Sequence, residues 1–218
     1  VLRVGDDDVK SSCSAKNIGV FMDQSLTCEQ QVHHVCRTGY AQLRNLAKVK
    51  RFIDRASLET LIHAFITVRI DYCNSLLYGV NDNLIRKLQV LQNACARLIT
   101  NVSRFDHITP VLIQLHWLPV KDRIAFKILV MTFKCIHGLS PGYLSNLLSH
   151  HQSSRPTRSS ESLVLHVPFT RSHVLYSTSF TFVAPRLWNE LPFSIRSAPS
   201  LNAFKSLLKT HLFISRFS

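Results

Sequence analysis

The apolar positions along these 218 residues change period as the chain proceeds. Over residues 1–23 they form short clusters, Val1-Leu2-Arg3-Val4, Val9 and Ile18-Gly19-Val20-Phe21-Met22, with Gly5-Asp6-Asp7-Asp8 between the first two. That pattern predicts short strands joined by turns, because Gly and Asp tolerate the dihedrals that turns require. From Leu26 the spacing becomes helical. Val32, Val35, Cys36, Tyr40, Leu43, Leu46 and Ala47 fall on one face, and Thr27 with Gln30 three residues later has the form of a capping box. A second helix is predicted from near Ser57, carrying Leu58, Leu61, Ile62, Phe65, Ile66 and Tyr72 toward Leu77 and ending at Gly79. A third begins after Asn81 or Asp82, with Leu84, Leu88, Leu91, Cys95, Leu98 and Ile99 as its stripe. Thr109-Pro110 sets a cap-type residue before proline and starts a short fourth helix. Residues 120–137 give a fifth through Ile124, Ile128, Met131 and Cys135, closed by Gly138, and residues 141–148 a shorter sixth.

The stretch from His150 to Ser162 is polar, aperiodic and contains Pro156, and reads as a linker. Beyond it, residues 163–168 and 179–183 look strand-like, whereas 185–191 and 201–213 look helical, the last capped by Ser200. No internal repeat is visible. The fold class expected is therefore mainly α. A short β-hairpin segment (1–24) precedes a helical region (25–149), then the linker (150–162) and a small α+β region (163–218).

Composition changes this picture little, but charge does. With 46% hydrophobic and 18% charged residues the chain has enough apolar material for a core. The formal net charge is +13, and it is unevenly placed: residues 1–30 carry −2, residues 31–140 carry +9 and residues 141–218 carry +6. A basic excess of this size attracts polyanions through phosphate neutralisation and counterion release. Six cysteines, at 13, 28, 36, 73, 95 and 135, contain no CxxC pair, and the last four lie in helix-like apolar patterns. Such cysteines act as small hydrophobes and suit a reducing, intracellular compartment, cytoplasmic or nuclear, better than a secreted disulfide scaffold. The most apolar stretch, 124–136, is broken by Lys127 and Lys134 and is too short to span a bilayer, so no membrane partner is expected. The chain begins with Val1, which is compatible with further sequence upstream.

Few motifs carry chemistry. Asp6-Asp7-Asp8 could offer carboxylates to a hard cation, but consecutive strand residues point to opposite sides, which favours a solvated turn. Cys28, His33, His34 and Cys36 offer zinc-type donors, yet their helical spacing does not bring them to face one another. No GxSxG, HExxH, phosphate-cradling Gly-rich loop or dinucleotide fingerprint occurs. No catalytic or metal-binding residue is assigned.

The basic side chains form the more informative constellation. Arg37, Arg44, Lys48, Lys50 and Arg51 cluster around the first helix and its exit. Spacings of seven, four and three place Arg37, Arg44, Lys48 and Arg51 on roughly one side, next to the apolar stripe. Such a face can follow a nucleic-acid backbone as a row of charges, and equally can be an ordinary solvated face. Arg155, Arg158 and Arg171 form a looser second group.

Six blocks, in order, resemble one family. They are Lys16-Asn17-Ile18-Gly19-Val20-Phe21-Met22-Asp23; Arg69-Ile70-Asp71-Tyr72-Cys73-Asn74-Ser75-Leu76-Leu77-Tyr78-Gly79; and Leu88-Gln89-Val90-Leu91-Gln92-Asn93-Ala94-Cys95-Ala96-Arg97-Leu98-Ile99. His107-Ile108-Thr109-Pro110-Val111-Leu112, Leu115-His116-Trp117-Leu118-Pro119-Val120 and Ala184-Pro185-Arg186-Leu187-Trp188-Asn189-Glu190-Leu191-Pro192 complete the set. Together they resemble the C-terminal part of reverse transcriptases encoded by jockey-like, LINE-type (non-LTR) retrotransposons. The resemblance implies that the Lys16–Asp23 block closes the polymerase palm near the primer. It also implies that the following helices correspond to a thumb and C-terminal extension, which hold a template–primer duplex by its backbone. Trp117 and Trp188 are expected to pack in cores rather than stack on bases.

The same resemblance implies what is missing. The family's adjacent aspartates, preceded by an aromatic and a small residue, and its upstream aspartate hold two divalent ions. Asp6-Asp7-Asp8 lacks that context, since Gly5 precedes it. The chain is thus expected to be a catalytically incomplete fragment, needing no cofactor itself, with divalent metal used only by the intact parent polymerase. Its expected partners are RNA or an RNA–DNA duplex, held through phosphates. Two other readings compete. One is a helical protein-interaction module whose exposed apolar surface favours self-association. The other is the tail of an intact reverse transcriptase whose upstream half is missing from the sequence.

Overall fold

The structure, a computed structural model, describes residues 2–9, 12–150, 163–169 and 178–218. Apart from His150, the expected linker 150–162 lies outside the described residues, as do Arg155, Arg158 and Arg171. The chain forms two compact units, Val1–Val111 and Leu112–Ser218, and the division falls inside the stretch expected as one helical region, 25–149. Helices dominate both, as the apolar periodicity predicts. No helix among the described residues is long and apolar enough to cross a membrane.

The first unit opens with two antiparallel hairpins, β1 (Leu2–Val4) with β2 (Asp7–Val9) and β3 (Ser14–Asn17) with β4 (Val20–Asp23). Each turns in two residues. Gly5 has φ 64 in the first, and in the second Ile18 and Gly19 have φ 46 and 82, the positive values that match a tight hairpin to strand twist. A β-branched residue is strained there. Tyr72 secures the turn, its hydroxyl donating to the Ile18 carbonyl at 2.6 Å.

Helix α1 (Glu29–Val49) follows directly, but not through the expected capping box. The Asp23 carboxylate accepts from the backbone N–H groups of Ser25 (3.1 Å), Thr27 (2.9 Å) and Cys28 (3.0 Å) and from the Thr27 hydroxyl (2.9 Å). One carboxylate at the end of β4 therefore gathers the N–H groups that precede the helix. Gln31, rather than Gln30, reaches back, accepting from the Phe21 N–H at 3.0 Å.

The predicted second helix is not continuous to Leu77. Helix α2 (Arg55–Ile62), its Asp54 cap accepting from Ala56 and Ser57, runs into a π-helical turn at His63–Thr67 and a last α turn, α3 (Val68–Asp71). The chain then breaks: Tyr72 is extended, Cys73 adopts φ 52, and Asn74–Leu77 forms a 3₁₀ turn ending near Gly79 at φ 75. Helix α4 (Asp82–Thr100) starts on its Asn81 cap, as predicted, and buries Leu84, Leu88, Leu91, Cys95 and Ile99. It lies parallel to α1. His33 meets Lys87 near the two starts, Gly39 meets Leu91 midway, and Lys50 meets Leu98 and Asn101 at the two ends. A Cβ on Gly39 would stand 2.5 Å from a Leu91 methyl, so any larger residue there would force the buried Leu91 side chain to move.

Helix α5 (Thr109–Gln114) crosses the boundary between the units. The second unit is built on α6 (Val120–Ile136), which ends in a Schellman motif: Leu139 N–H donates to the Lys134 carbonyl at 2.8 Å and Gly138 sits at φ 67. After the short α7 (Gly142–Ser145), the described chain resumes with Leu163. Among the described residues of 163–218 no strand forms. Leu165 makes only a single bridge, to His150. The Asn189 amide takes the place of a second strand, accepting from the Leu165 N–H (2.9 Å) and donating to its carbonyl (2.8 Å). The strand-like run 179–183 is corrected, since α8 is a helix over Phe180–Asn189. Its β-branched and aromatic side chains suit a strand locally, but burial of Val183, Ala184 and Trp188 on one helical face outweighs that preference.

Helices α9 (Phe193–Arg196) and α10 (Leu201–Phe217) complete the unit, the latter capped by Ser200 as predicted. Its core centres on three rings: Phe133 stacks on Phe204 at 4.4 Å between centroids, and Trp188 lies 5.7 Å from Phe204. The Trp188 indole N–H donates to the Leu163 carbonyl at 2.7 Å, so its one polar atom is satisfied inside the core. Arg216 in the last turn of α10 grips Asp122 in the first turn of α6 by two bonds, 2.7 and 2.8 Å. Both charges complement the helix ends that carry them.

Two outcomes follow from this packing. Trp188→Ala removes the largest fully buried side chain and is expected to cost about 3–5 kcal/mol, read as an early-melting transition in calorimetry. Backbone donation from Thr27 foremost holds the Asp23 carboxyl below its usual range, opposed by partial desolvation. A depressed carboxylate pKa adds stability above the unfolded value, which is lost as pH falls through the folded one. Wild type is therefore expected to melt above Asp23→Asn at neutral pH, with the gap closing below about pH 4; a pH-independent gap in thermal melts would contradict a hold on this turn by the charged carboxylate.

Candidate nucleic-acid interface

The five basic residues singled out by spacing do not share one role. Arg37, Arg44 and Lys48 lie on α1 itself, and all three are exposed. Their spacing places them on one side of a regular helix, as predicted. Arg51 is also exposed, but it belongs to the 3₁₀ turn Lys50–Phe52 that follows, and its guanidinium lies over the Phe52 ring at 4.6 Å from the centroid. Lys50 is different again. Its ammonium group is half-buried and bonds the Leu98 carbonyl and the Asn101 side-chain oxygen, both at the C-terminus of α4. A cation there neutralises carbonyls that the helix leaves unsatisfied. Lys50 is thus a fastener between two helices, and the exposed row is Arg37, Arg44 and Lys48, extended by Arg51.

The structure adds two cations that spacing along the chain did not reveal. Lys16 on β3 pairs across the hairpin with Phe21 and sets its ammonium 5.4 Å from that ring. Phe21 in turn packs against His34 at 5.0 Å. His34 has its pKa lowered, first by burial and then by the charges of Lys16, Arg37 and Arg69. Cations from β3, α1 and α3 thus all act on one imidazole. The cross-strand register of Lys16 and Phe21 follows from the hairpin turn, and could have been read from the Ile18-Gly19 signal. Nothing in linear spacing brings Arg69 to this place. The result is a positive surface that begins at Lys16 and Arg69, passes Arg37, and continues along α1 to Lys48.

The other candidate donors are dispersed. Cys28 turns its thiol toward the Leu26 and Leu76 carbonyls, His33 meets Lys87 at 2.8 Å, His34 packs on Phe21, and Cys36 is half-buried. Among the described residues no group of three or more His, Cys, Asp or Glu side chains is placed to hold a metal ion. Asp6 lies in the first hairpin turn, and Asp7 and Asp8 continue into β2. Of the four cysteines expected in helices, Cys73 instead occupies the left-handed break after α3. Burial in α4 pushes the Cys95 thiol up to about 12, so it serves as a packing group. Trp117 and Trp188 are both buried, with 5% and 0% of their surface exposed, which leaves neither ring open for base stacking.

Comparison of the chain with family models, with curated proteins and with solved structures gives no match.

The split among the basic residues can be measured without any ligand. Lys50→Met is expected to destabilise the first unit by about 1–2 kcal/mol, because it leaves acceptors at the α4 terminus unpaired. Arg44→Ala, on the open face, is expected to change stability by no more than about 0.5 kcal/mol. Denaturant melts of the two variants report the difference.

Proposed function

We propose that this chain is a catalytically incomplete, C-terminal part of a retrotransposon reverse transcriptase of the non-LTR type, and that its first unit holds nucleic acid by the backbone, independently of sequence. Family origin is supported by the six ordered blocks from Lys16 to Pro192. Backbone binding is supported by one observation above the others: Arg37, Arg44 and Lys48 stand exposed in a row on a 21-residue helix, with Lys16 and Arg69 beside its N-terminal half. Point charges at one-turn and two-turn spacings along a rigid rod can meet successive phosphates without touching a base edge. The aromatic–small–Asp–Asp motif of the family is not found in these residues, and polymerisation is not assigned to them. RNA or an RNA–DNA hybrid is the partner that this reading names.

The electrostatic mechanism has a quantitative signature. Each phosphate neutralised contributes about −0.9 to the slope of log K against log salt for duplex DNA. Replacing Arg37, Arg44 and Lys48 together by Gln is therefore expected to weaken binding of an RNA–DNA hybrid and flatten that slope by about three. Fluorescence anisotropy on a hybrid of about twenty base pairs, titrated between about 50 and 200 mM salt, gives both quantities. An affinity that does not change across that range overturns the reading.

A further inference from the structure

Because α1 and α4 run parallel, they finish at the same end of the first unit, and Lys50 ties the two finishes together through Leu98 and Asn101. Just beyond each finish stands the same dipeptide, Arg51-Phe52 after α1 and Arg104-Phe105 after α4. In both, the guanidinium covers its neighbour's ring at 4.6 Å from the centroid. Both rings nevertheless face solvent: Phe52 is 72% exposed and Phe105 82%. Exposure of this degree is not what a core-forming residue shows, and here it occurs twice on one end of a unit.

The backbone segments that carry the rings are held in place. Arg97 on α4 donates to the carbonyls of Ser103 and Asp106, each at 3.1 Å, while the Asp106 carboxylate accepts from the Ser103 N–H at 3.2 Å. That clamp folds the loop carrying Phe105 back onto the last turn of α4. Phe52 is fixed by the 3₁₀ turn that Lys50 anchors. The charge of this end is also one-sided. Arg51 and Arg104 lie over the rings, Lys48 and Arg55 are exposed within four residues of Phe52 along the chain, and Asp54 and Asp106 spend their carboxylates on backbone N–H groups.

We propose that this end of the first unit is a site for single-stranded nucleic acid, in which unpaired bases stack on the open faces of Phe52 and Phe105 while phosphates are held by the surrounding Lys48, Arg51, Arg55 and Arg104. The inference rests on the backbone-binding reading above and extends it to a distinct chemistry. A duplex keeps its base faces inside and can offer only phosphates, which the α1 row already suits. Fixed aromatic rings among cations suit bases that are free to stack. An arginine on one face of each ring leaves the opposite face for a base, giving a guanidinium–phenyl–base sandwich. Insertion into an anionic membrane would instead immerse both faces, with the guanidinium still lying over one of them.

The test uses the full chain and three probes: a labelled oligo(dT) of about twelve nucleotides, an abasic strand of equal length and charge, and an RNA–DNA hybrid. Wild type is expected to bind oligo(dT) at least about tenfold more tightly than the abasic strand, since stacking acts per base. Phe52→Leu with Phe105→Leu, which keeps apolar bulk and removes the π faces, is expected to abolish that preference while leaving the salt slope and the melting temperature unchanged. Equal affinity of wild type for the two strands, or a preference that survives in the leucine variant, overturns the proposal. In either case, salt-dependent binding of the hybrid leaves the backbone reading standing, and its absence removes both. Sedimentation with phosphatidylserine–phosphatidylcholine vesicles supplies the remaining outcome: equal capture of wild type and the leucine variant, without a base preference, assigns the end to a lipid surface and overturns the proposal.

Discussion

The close approach of α1 and α4 at Gly39 is the constraint on which the first unit depends. A side chain at that position would collide with Leu91, which is fully buried and has little room to move. With the side chain absent, the helices pack along their lengths in parallel, and their ends are then fixed relative to each other. Two parallel helices cannot be joined by a tight turn. The chain leaving α1 must return over the length of that helix, about 30 Å at 1.5 Å per residue, before α4 can begin. Residues 50–81 make that return, and they do so as a sequence of helical pieces with a π turn, a left-handed Cys73 and a 3₁₀ turn rather than as one rod. Parallel packing also places two negative helix ends side by side. A cation at position 50 relieves that repulsion, which explains why one lysine of a basic cluster is half-buried while its neighbours are not.

The second unit solves a different problem, that of packing segments with conflicting local preferences. Residues 180–183 favour a strand, yet they open a helix because Trp188 must lie against Phe133 and Phe204. Residues 163–168 also look like a strand and are denied a partner strand among the described residues. The Asn189 amide, with one donor and one acceptor in a fixed plane, satisfies the backbone of Leu165 as a neighbouring strand would. The buried Leu165 backbone can therefore persist without a sheet, because the Asn189 amide satisfies both its N–H and its carbonyl.

These particulars show which features the linear pattern reveals. Apolar stripes of α1, α4, α6 and α10 were legible because a period near 3.6 survives whatever the helix packs against. Asn81 and Ser200 were legible as caps because their partners lie within three residues. The turn before α1 was not, because its acceptor belongs to Asp23, at the end of a strand, and Thr27 supplied a competing local pattern. The break at Tyr72–Cys73 was hidden in the same way: the apolar spacing continues through it, and only the hold of Tyr72 on the Ile18 turn shows why the backbone leaves the helix there. In the candidate interface, the row Arg37, Arg44 and Lys48 was legible as helix periodicity. The placement of Lys16 and Arg69 was not, since it needs three elements to meet at His34.

The same distinction governs how far the charge of the chain bears on binding. A net charge of +13 counts every cation equally, but the fold does not. Lys50, Arg69, Arg97 and Arg216 donate to internal carbonyls or carboxylates, although Arg69 uses only its Nε on the Phe65 carbonyl at 3.1 Å. A cation so engaged must break those bonds to reach a phosphate, and the cost offsets what it would gain. Arg37, Arg44 and Lys48 carry no such commitment among the bonds described, and they lie on a 21-residue helix packed against α4 at Gly39. Charge on a helix loses little backbone freedom on meeting an anion, whereas an equal number of charges on a loop must first be ordered. The electrostatic surface of the first unit is thus smaller than the composition suggests, and better defined, because packing has already decided which cations remain for a partner.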